Sequence, residues 1–104
     1  MRPLMYGYMR VHDAEEDNTI LQLEAELRNF AVRNGFCFGT IFHEHVPGSY
    51  AAFDELIEEL QRADAHHVIV PSTRHLAENR ILRESLLSRL DSHAQARVLE
   101  LGDQ

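Results

Sequence analysis

The chain has 104 residues, a length typical of one domain, and its 10 basic and 17 acidic residues give a net charge of −7. All the basic residues are arginines, and they form no basic cluster, so we expect weak or absent DNA binding. No apolar run approaches the ~20 residues that cross a bilayer, and we find no secretory signal. The single cysteine, Cys37, excludes an intrachain disulfide, so we expect a cytoplasmic protein in a reducing compartment.

The first half of the chain predicts strand, helix and strand. An apolar run over residues 4–11 predicts a strand that is buried on both faces. Apolar residues at helical spacing then predict a helix over about residues 19–33, capped by Asp17 or Asn18 and ended by Asn34 and Gly35. The second strand is predicted over residues 36–44, with Cys37 buried in it and inert.

A second helix follows the loop at residues 46–49, with Ser49 as its N-cap. Its apolar stripe consists of Phe53, Leu56, Ile57 and Leu60. Residues 67–70 form the third predicted strand, which Pro71 stops.

The last predicted elements are a third helix and a fourth strand. Ser72 and Thr73 are the expected caps of the helix. Four leucines lie near one face of it: Leu76, Leu82, Leu86 and Leu90. Residues 96–101 form the fourth strand.

The alternation of strands and helices predicts an α/β fold in a single domain over residues 1–104. Strands joined by single helices form parallel right-handed crossovers, which gives an open, doubly wound, mainly parallel four-stranded sheet with helices on both faces. Such sheets bind ligands outside the carboxyl ends of their strands. Those ends lie at residues 10–12, 43–45 and 71–75.

Three segments resemble the catalytic domain of the serine recombinases, the resolvase and invertase family. The segment Tyr6-Gly7-Tyr8-Met9-Arg10-Val11 is similar to that family's opening strand, which reads tyrosine, any residue, arginine, valine, serine. Residues 42–49 resemble its second strand and glycine-serine loop, and residues 64–76 resemble its third strand and the following turn. The segments follow in the family's order and spacing, which implies a resolvase-like fold over nearly the whole chain.

The resemblance implies a chemistry that this chain lacks. In the family a serine attacks a DNA phosphodiester, and several arginines stabilise the transition state. Here His12 stands at the serine position, Arg10 matches the first arginine and Glu44 matches an acidic residue. The family's aspartate-arginine pair and a later arginine correspond to Arg74, His75 and Glu78. We therefore expect a degenerate site with no catalytic residue, no cofactor and no enzymatic activity.

The resemblance also implies a truncated member of the family. A fifth strand, a long dimer helix and a helix-turn-helix DNA reader would follow the fourth strand, and we expect the domain without them neither to form the recombination tetramer nor to read a DNA site. We expect the chain, as the first hypothesis, to act as a protein-interaction or regulatory module. One alternative is an accessory factor in DNA recombination that works with an intact recombinase. Another is a small metal- or anion-dependent enzyme that uses histidines at the strand ends.

Two groups of polar residues lie near these strand ends. His12, His43, His45 and His75 fall at the ends of three neighbouring strands, where a metal site would need three or four convergent ligands. We expect them instead to be surface or hydrogen-bonded histidines, with no metal. Residues 72–74 begin a predicted helix and are either ordinary caps or an anion site.

The fourth strand and third helix suggest where a partner binds. A strand at the sheet margin offers unpaired backbone groups to another chain. The charges of Arg97 and Glu100 would disfavour such pairing. The third helix carries more apolar surface than one core face needs. We therefore expect a homodimer or a protein partner to contact Ile81, Leu86, Leu87 and Leu99.

Overall fold

The computed structural model describes residues 2–11 and 16–101. In chain order its elements are strand β1 (Leu4–Arg10), helix α1 (Asp17–Arg33), strand β2 (Cys37–Glu44), helix α2 (Ala51–Ala63), strand β3 (His67–Val70), a short 3-10 helix (Thr73–His75), helix α3 (Arg80–Ala94) and strand β4 (Arg97–Glu100). The predicted alternation of strands and helices is confirmed, and the 3-10 helix is the one element that was not expected. Among these residues, no helix is both long and apolar enough to cross a membrane.

The four strands form one parallel sheet in the order β2-β1-β3-β4. Helix α1 packs on one face, and α2 and α3 pack on the other, so the expected doubly wound architecture is confirmed. The chain adds β2 on one side of β1 and then crosses back to add β3 on the other side. Between β1 and β3 the sheet therefore has its topological switch point, where ligands of such folds bind.

The core consists of two apolar clusters separated by the sheet. Strand β1 contributes to both, because Tyr6 and Tyr8 point towards α2 and α3 while Met5 and Met9 point towards α1. This confirms that β1 is buried on both faces. Each large side chain buried in this way contributes about 1.5–3 kcal/mol to folding. The α2 and α3 side holds most of the buried residues, so it forms the main core.

Gly39 allows β2 to pass under an aromatic ring. A Cβ atom at this position would lie 2.5 Å from the ring of Tyr6, which is closer than real contacts permit. The same tyrosine donates a hydrogen bond from its hydroxyl to Glu59 Oε2 at 2.7 Å. Any larger residue at position 39 would therefore have to displace a ring that is held at both ends.

Helix α3 begins later than the sequence predicts. Its N-cap is Asn79, whose Oδ1 accepts a hydrogen bond from the backbone N–H of Leu82 at 3.0 Å. Ser72 and Thr73 therefore do not cap this helix, and those predictions are wrong. Leu76 lies before the helix, although it is fully buried in the main core. Apolar content alone did not distinguish a helical leucine from one in the preceding turn.

Three smaller predictions are also corrected. The N-cap of α1 is Glu16, so Asp17 and Asn18 both lie inside the helix and neither caps it. The N-cap of α2 is Tyr50, although the Ser49 hydroxyl accepts a hydrogen bond from Ala51 N at 3.2 Å. Cys37 is exposed at the start of β2, which contradicts its predicted burial. The predicted end of α1 is confirmed, because Gly35 has the positive φ of 82° that favours glycine.

Candidate functional site

A cleft of about 430 Å³ opens at the carboxyl end of the sheet, at the switch point between β1 and β3. It lies between the segments that follow β1, β2 and β3, which is where the fold predicts a ligand site. Its lining consists of Arg10, Val11, Pro47, Gly48, Tyr50, Ser72, Arg74, His75, Ala77 and Glu78. Four of the positions singled out in the sequence, Arg10, Arg74, His75 and Glu78, therefore meet at one cleft, whereas His12 lies outside the described residues.

Arg10 ends β1, and its guanidinium group is bound by the surrounding loops. Its Nε donates to His75 O at 3.2 Å and its Nη1 donates to Ser49 O at 3.2 Å. Its Nη2 donates to Leu76 O and to the Tyr8 hydroxyl, both at 3.3 Å. A guanidinium has five N–H protons, so four of them are used within the protein. Arg10 therefore ties the loop after β2 to the turn after β3.

The ring of Tyr50 covers the same guanidinium group. The Cζ atom of Arg10 lies 4.9 Å from the ring centroid, within the range of a cation–π interaction. Among the described residues, no carboxylate forms an ion pair with Arg10. Carbonyl oxygens, a hydroxyl and an aromatic face therefore stabilise its positive charge.

Glu44 ends β2 and is only 3% exposed. Its Oε1 accepts from Ala52 N at 3.1 Å, and its Oε2 accepts from Phe53 N at 3.1 Å. These two N–H groups belong to the first turn of α2, where a negative charge is favoured by the helix dipole. Glu44 thus does the capping that the sequence assigned to Ser49.

The Tyr8 hydroxyl connects Glu44 to Arg10. It donates to Glu44 Oε2 at 3.0 Å and accepts from Arg10 Nη2 at 3.3 Å. Burial raises the pKa of Tyr8, with a further rise from Glu44 that Arg10 opposes. The phenol therefore stays protonated and can donate to the carboxylate. We call Arg10, Tyr8 and Glu44 the strand-end network.

His75 lies beside the end of β1, at a point where β1 and β3 no longer pair with each other. Its Nδ1 accepts a hydrogen bond from the backbone N–H of Arg10 at 3.0 Å. A ring nitrogen that accepts in this way carries no proton, so the other nitrogen carries it in the neutral form. The side chain takes the place of a strand partner beyond the last paired residues of β1 and β3, Gly7 and Ile69. At a position where the resemblance expects arginine, this histidine is part of the backbone framework.

Arg74 and Glu78 are the exposed charges of the cleft. In the described part of the chain, no ion pair forms between them or with either of them. As far as the described residues go, the Arg74 guanidinium and the Glu78 carboxylate therefore face the cleft without an ion-pair partner.

At residues 72–74, where an anion site is the alternative to ordinary caps, a side chain of the protein binds one of the backbone N–H groups. The backbone N–H of Thr73 donates to Glu100 Oε1 at 3.1 Å. The segment is a single turn of 3-10 helix, with none of the several aligned N–H groups of a long helix. The alternative of an anion site at this turn therefore gains no support from the structure.

The histidines at the strand ends divide between two places. His43 Nε2 lies 2.7 Å from Glu24 Oε2, on the α1 face of the sheet, and its ring stacks on His45 with centroids 5.9 Å apart. His75 lies in the cleft instead. Within residues 2–11 and 16–101, no three His, Cys, Asp or Glu side chains are close enough to hold a metal ion. The structure therefore does not bring the three described histidines together.

The predicted interface residues differ in their accessibility. Leu86 is 4% exposed and belongs to the main core, so the prediction that it contacts a partner is wrong. Leu87 and Leu99 are half-buried and pack against the two core clusters. Ile81 is 80% exposed and remains available. At the margin β4 spans only four residues, Arg97–Glu100, and both of its end residues are charged.

The order of the strands, the helices on both faces and the cleft at the switch point are those of a doubly wound α/β fold, and solved catalytic domains of serine recombinases share it. The C-terminal catalytic domain of ISC1926 TnpA, an IS607-like serine recombinase, matches with a TM-score of 0.78 at 14% identity, over 97% of this chain and 71% of that chain. The N-terminal catalytic domain of TP901-1 integrase matches with a TM-score of 0.74 at 14% identity, over 94% and 76% of the two chains. No protein-family model matches the sequence, and no curated protein matches it. The expected resolvase-like fold is confirmed.

Sequence reasoning missed two residues of the site, Tyr8 and Tyr50. Tyr8 occupies a strand position that reads as ordinary core, and its hydroxyl function depends on two residues from other segments. Tyr50 follows Ser49 directly, and an aromatic residue beside a glycine-serine loop was the available signal.

Proposed function

We propose that this chain is a non-catalytic domain with the serine recombinase fold, acting as a protein-interaction or regulatory module. The observation that carries the proposal is the bonding of Arg10. Phosphoryl transfer needs a nucleophile and guanidinium groups whose N–H pairs point at the reacting phosphate. Here four N–H groups of Arg10 are bound to Ser49, Tyr8, His75 and Leu76.

The other matching positions support the same proposal. Glu44 caps α2 with both carboxylate oxygens, and His75 accepts from a backbone N–H. Among the described residues that line the cleft, Arg74 has a guanidinium outside any ion pair, and Glu78 brings the opposite charge to the same cleft. One arginine and one carboxylate would stabilise a phosphorane-like transition state poorly. The net charge of −7 also disfavours a DNA backbone as the partner.

The arrangement suits a binding role better, since the strand-end network ties the loop after β2 to the turn after β3 beside an accessible cleft. The volume of about 430 Å³ falls within the range of small-ligand and peptide-side-chain sites. A wall of Val11, Pro47 and Tyr50 provides apolar surface, and the two free charges provide orientation. Such a preformed surface recognises a partner without chemistry.

A plasmid assay tests the absence of catalysis. We expect no nicked product and no covalent protein–DNA adduct from supercoiled plasmid, while an intact serine recombinase on its own substrate serves as the positive control. Ser49→Ala, Ser72→Ala and Arg74→Ala are the informative variants, because they remove the hydroxyls and the free guanidinium nearest the cleft. Cleavage by the wild-type protein that any of these substitutions abolishes would contradict the proposal.

A binding assay separates the interaction role from a direct role on DNA. We expect fluorescence anisotropy with duplex DNA at physiological salt to show dissociation constants weaker than about 1 μM, because few counterions are released. A sub-micromolar complex would rule this part of the proposal out. Mixing with an intact recombinase in the same assay tests the accessory-factor alternative, which predicts a heteromeric complex.

A further inference from the structure

We propose that the solvent face of α1 is a two-fold interface on which a second copy of this chain docks its own α1 in antiparallel orientation. The proposal concerns assembly, and it holds whether or not the cleft is catalytic. The face is the row formed by Leu21, Ala25, Arg28 and Val32, which we call the α1 seam.

The seam exposes two large apolar side chains on the solvent face of a helix, which is normally polar. Leu21 is 60% exposed and Val32 is 54% exposed, and they are two of the five large hydrophobic side chains that the described residues expose. They are eleven residues apart on the same helix, which corresponds to about three turns, about 16 Å and nearly the same face. Ala25 and Arg28, both exposed, lie between them.

This row is separate from the core-facing side of α1. The core side carries Leu27 and Ala31, which are fully buried against the sheet. The spacing of four, three and four residues along the seam is the spacing at which one helix packs against another. Helix α1 therefore has one apolar row that the sheet covers and a second row, with Arg28 as its one charge, whose two large apolar side chains are more than half exposed among the described residues.

Self-complementarity identifies a second copy as the occupant. A two-fold axis midway between Ala25 and Arg28 places Leu21 against the partner's Val32, and Arg28 against the partner's Ala25. Leucine then contacts valine and arginine contacts alanine, so no two bulky or like-charged side chains collide. The two-fold axis makes each of these contacts occur twice. A parallel pair would instead place Arg28 against the partner's Arg28, which like-charge repulsion disfavours.

Charge also favours this surface over others. Two copies with a charge of −7 repel each other, and α2 exposes Asp54, Glu55 and Glu58. The seam carries a single charge, Arg28, which lies 5.9 Å over the Phe38 ring and pairs with no carboxylate among the described residues. In the antiparallel pair it faces the partner's Ala25, whose chain neighbours are both glutamates.

The size of the contact sets the expected affinity. Two helices of 17 residues that touch along one seam bury less than the ~1,200–2,000 Å² of a standard interface. We therefore expect a reversible dimer with a dissociation constant on the order of 10–100 μM.

Sedimentation equilibrium from about 10 μM to about 1 mM brackets that constant. Leu21→Asp should weaken dimerisation at least tenfold, because it places a charge in the apolar layer. Ile81→Asp is the matched control, since it charges an even more exposed apolar residue on α3 and should leave the constant unchanged. A monomer throughout the range, or a dimer that only Ile81→Asp weakens, would overturn the proposal. A monomer would leave the seam to a helix of a foreign protein.

Cysteine crosslinking tests the antiparallel geometry and does not depend on the stability of Leu21→Asp. In a Cys37→Ser background, Leu21→Cys protein mixed with Val32→Cys protein should form a disulfide heterodimer under air. Each variant alone should crosslink poorly, because like positions lie about 16 Å apart, beyond the ~7 Å reach between Cα atoms in a disulfide. Strong crosslinking of Leu21→Cys with itself, or none in the mixture, would refute the antiparallel pair.

Discussion

At the carboxyl end of the sheet, Arg10, Tyr8 and Glu44 are joined by hydrogen bonds into one network. At the amino end, His66 and His67 are neighbours in the chain, but their rings have different partners. His66 is bonded at both ring nitrogens, with Nδ1 2.9 Å from Ala94 O and Nε2 3.0 Å from Asp64 Oδ1. His67 has a buried Nδ1 that finds no partner among the described residues, and its ring packs 4.7 Å from Phe36.

The difference separates two uses of polar groups. The strand-end network satisfies its buried groups with charged hydrogen bonds, so its removal should lower the stability of the fold at any pH near neutral. The pKa of His66 is raised and that of His67 is lowered, so this pair should change how stability depends on pH.

The largest effect is expected for Glu44→Ala. The substitution leaves the Tyr8 hydroxyl and the Ala52 and Phe53 N–H groups without their acceptor, in a site that is almost fully buried. We expect the free energy of unfolding, measured in urea, to fall by about 3 kcal/mol. Glu58→Ala, an exposed glutamate on α2, is the control and should stay within about 0.5 kcal/mol of wild type. If the two variants lost equal amounts of unfolding free energy, the hydrogen bonds of Glu44 would not stabilise the fold.

Arg10→Ala should lower the free energy of unfolding by about 2 kcal/mol, because several charge-assisted hydrogen bonds are lost from a half-buried site. Arg74→Ala is matched in chemistry but removes an exposed guanidinium, and it should change stability by less than about 0.5 kcal/mol. If Arg10→Ala were as harmless as Arg74→Ala, the arginine would be free for a ligand. The proposed non-catalytic role would then lose its main support.

Tyr8→Phe sharpens the comparison by removing one hydroxyl and keeping the ring, which packs edge-on against Phe53 at 5.8 Å. We expect a loss of about 1 kcal/mol in the free energy of unfolding, since the hydroxyl both donates and accepts. Tyr50→Phe keeps the ring over Arg10 and should be nearly neutral. A neutral Tyr8→Phe would mean that Glu44 and Arg10 act independently.

The smallest effects are expected at the histidines, with opposite signs. The hydrogen bonds to Ala94 and Asp64 raise the pKa of His66 against the opposing effect of burial. Its stabilisation is therefore present below about pH 6.5 and is lost as the pH rises through the raised folded pKa. Burial lowers the pKa of His67, and the nearby charges of Arg97 and His66 lower it further. Its neutral form stabilises above about pH 6.5, and that contribution is lost as the pH falls through the lowered folded pKa.

Thermal unfolding between about pH 5 and 8 tests both signs. His66→Gln should reduce the loss of stability on the alkaline side, and His67→Gln should reduce the loss on the acid side. Identical pH profiles for the two variants would show that the two rings share one environment.

The sequence by itself determined the elements and the fold. Periodicity places an apolar strand, two amphipathic helices and a proline-stopped third strand in an order that has one common architecture. Those signals are local, because each depends on residues within a few positions of one another. The start of α3 and the burial of Leu86 escaped this reasoning, because the apolar pattern around residues 76–90 fits more than one start and more than one core face.

Only the tertiary structure decided what the site residues do. Arg10 and Glu44 were both singled out from the sequence, but their partners are far away in the chain, 36 residues for Tyr8 and Glu44 and 66 for Arg10 and Leu76. The same holds for the exposed α1 seam, since exposure depends on what the sheet covers. A residue's type and spacing set its chemistry, whereas the crossovers of the doubly wound sheet determine which distant groups bond to it.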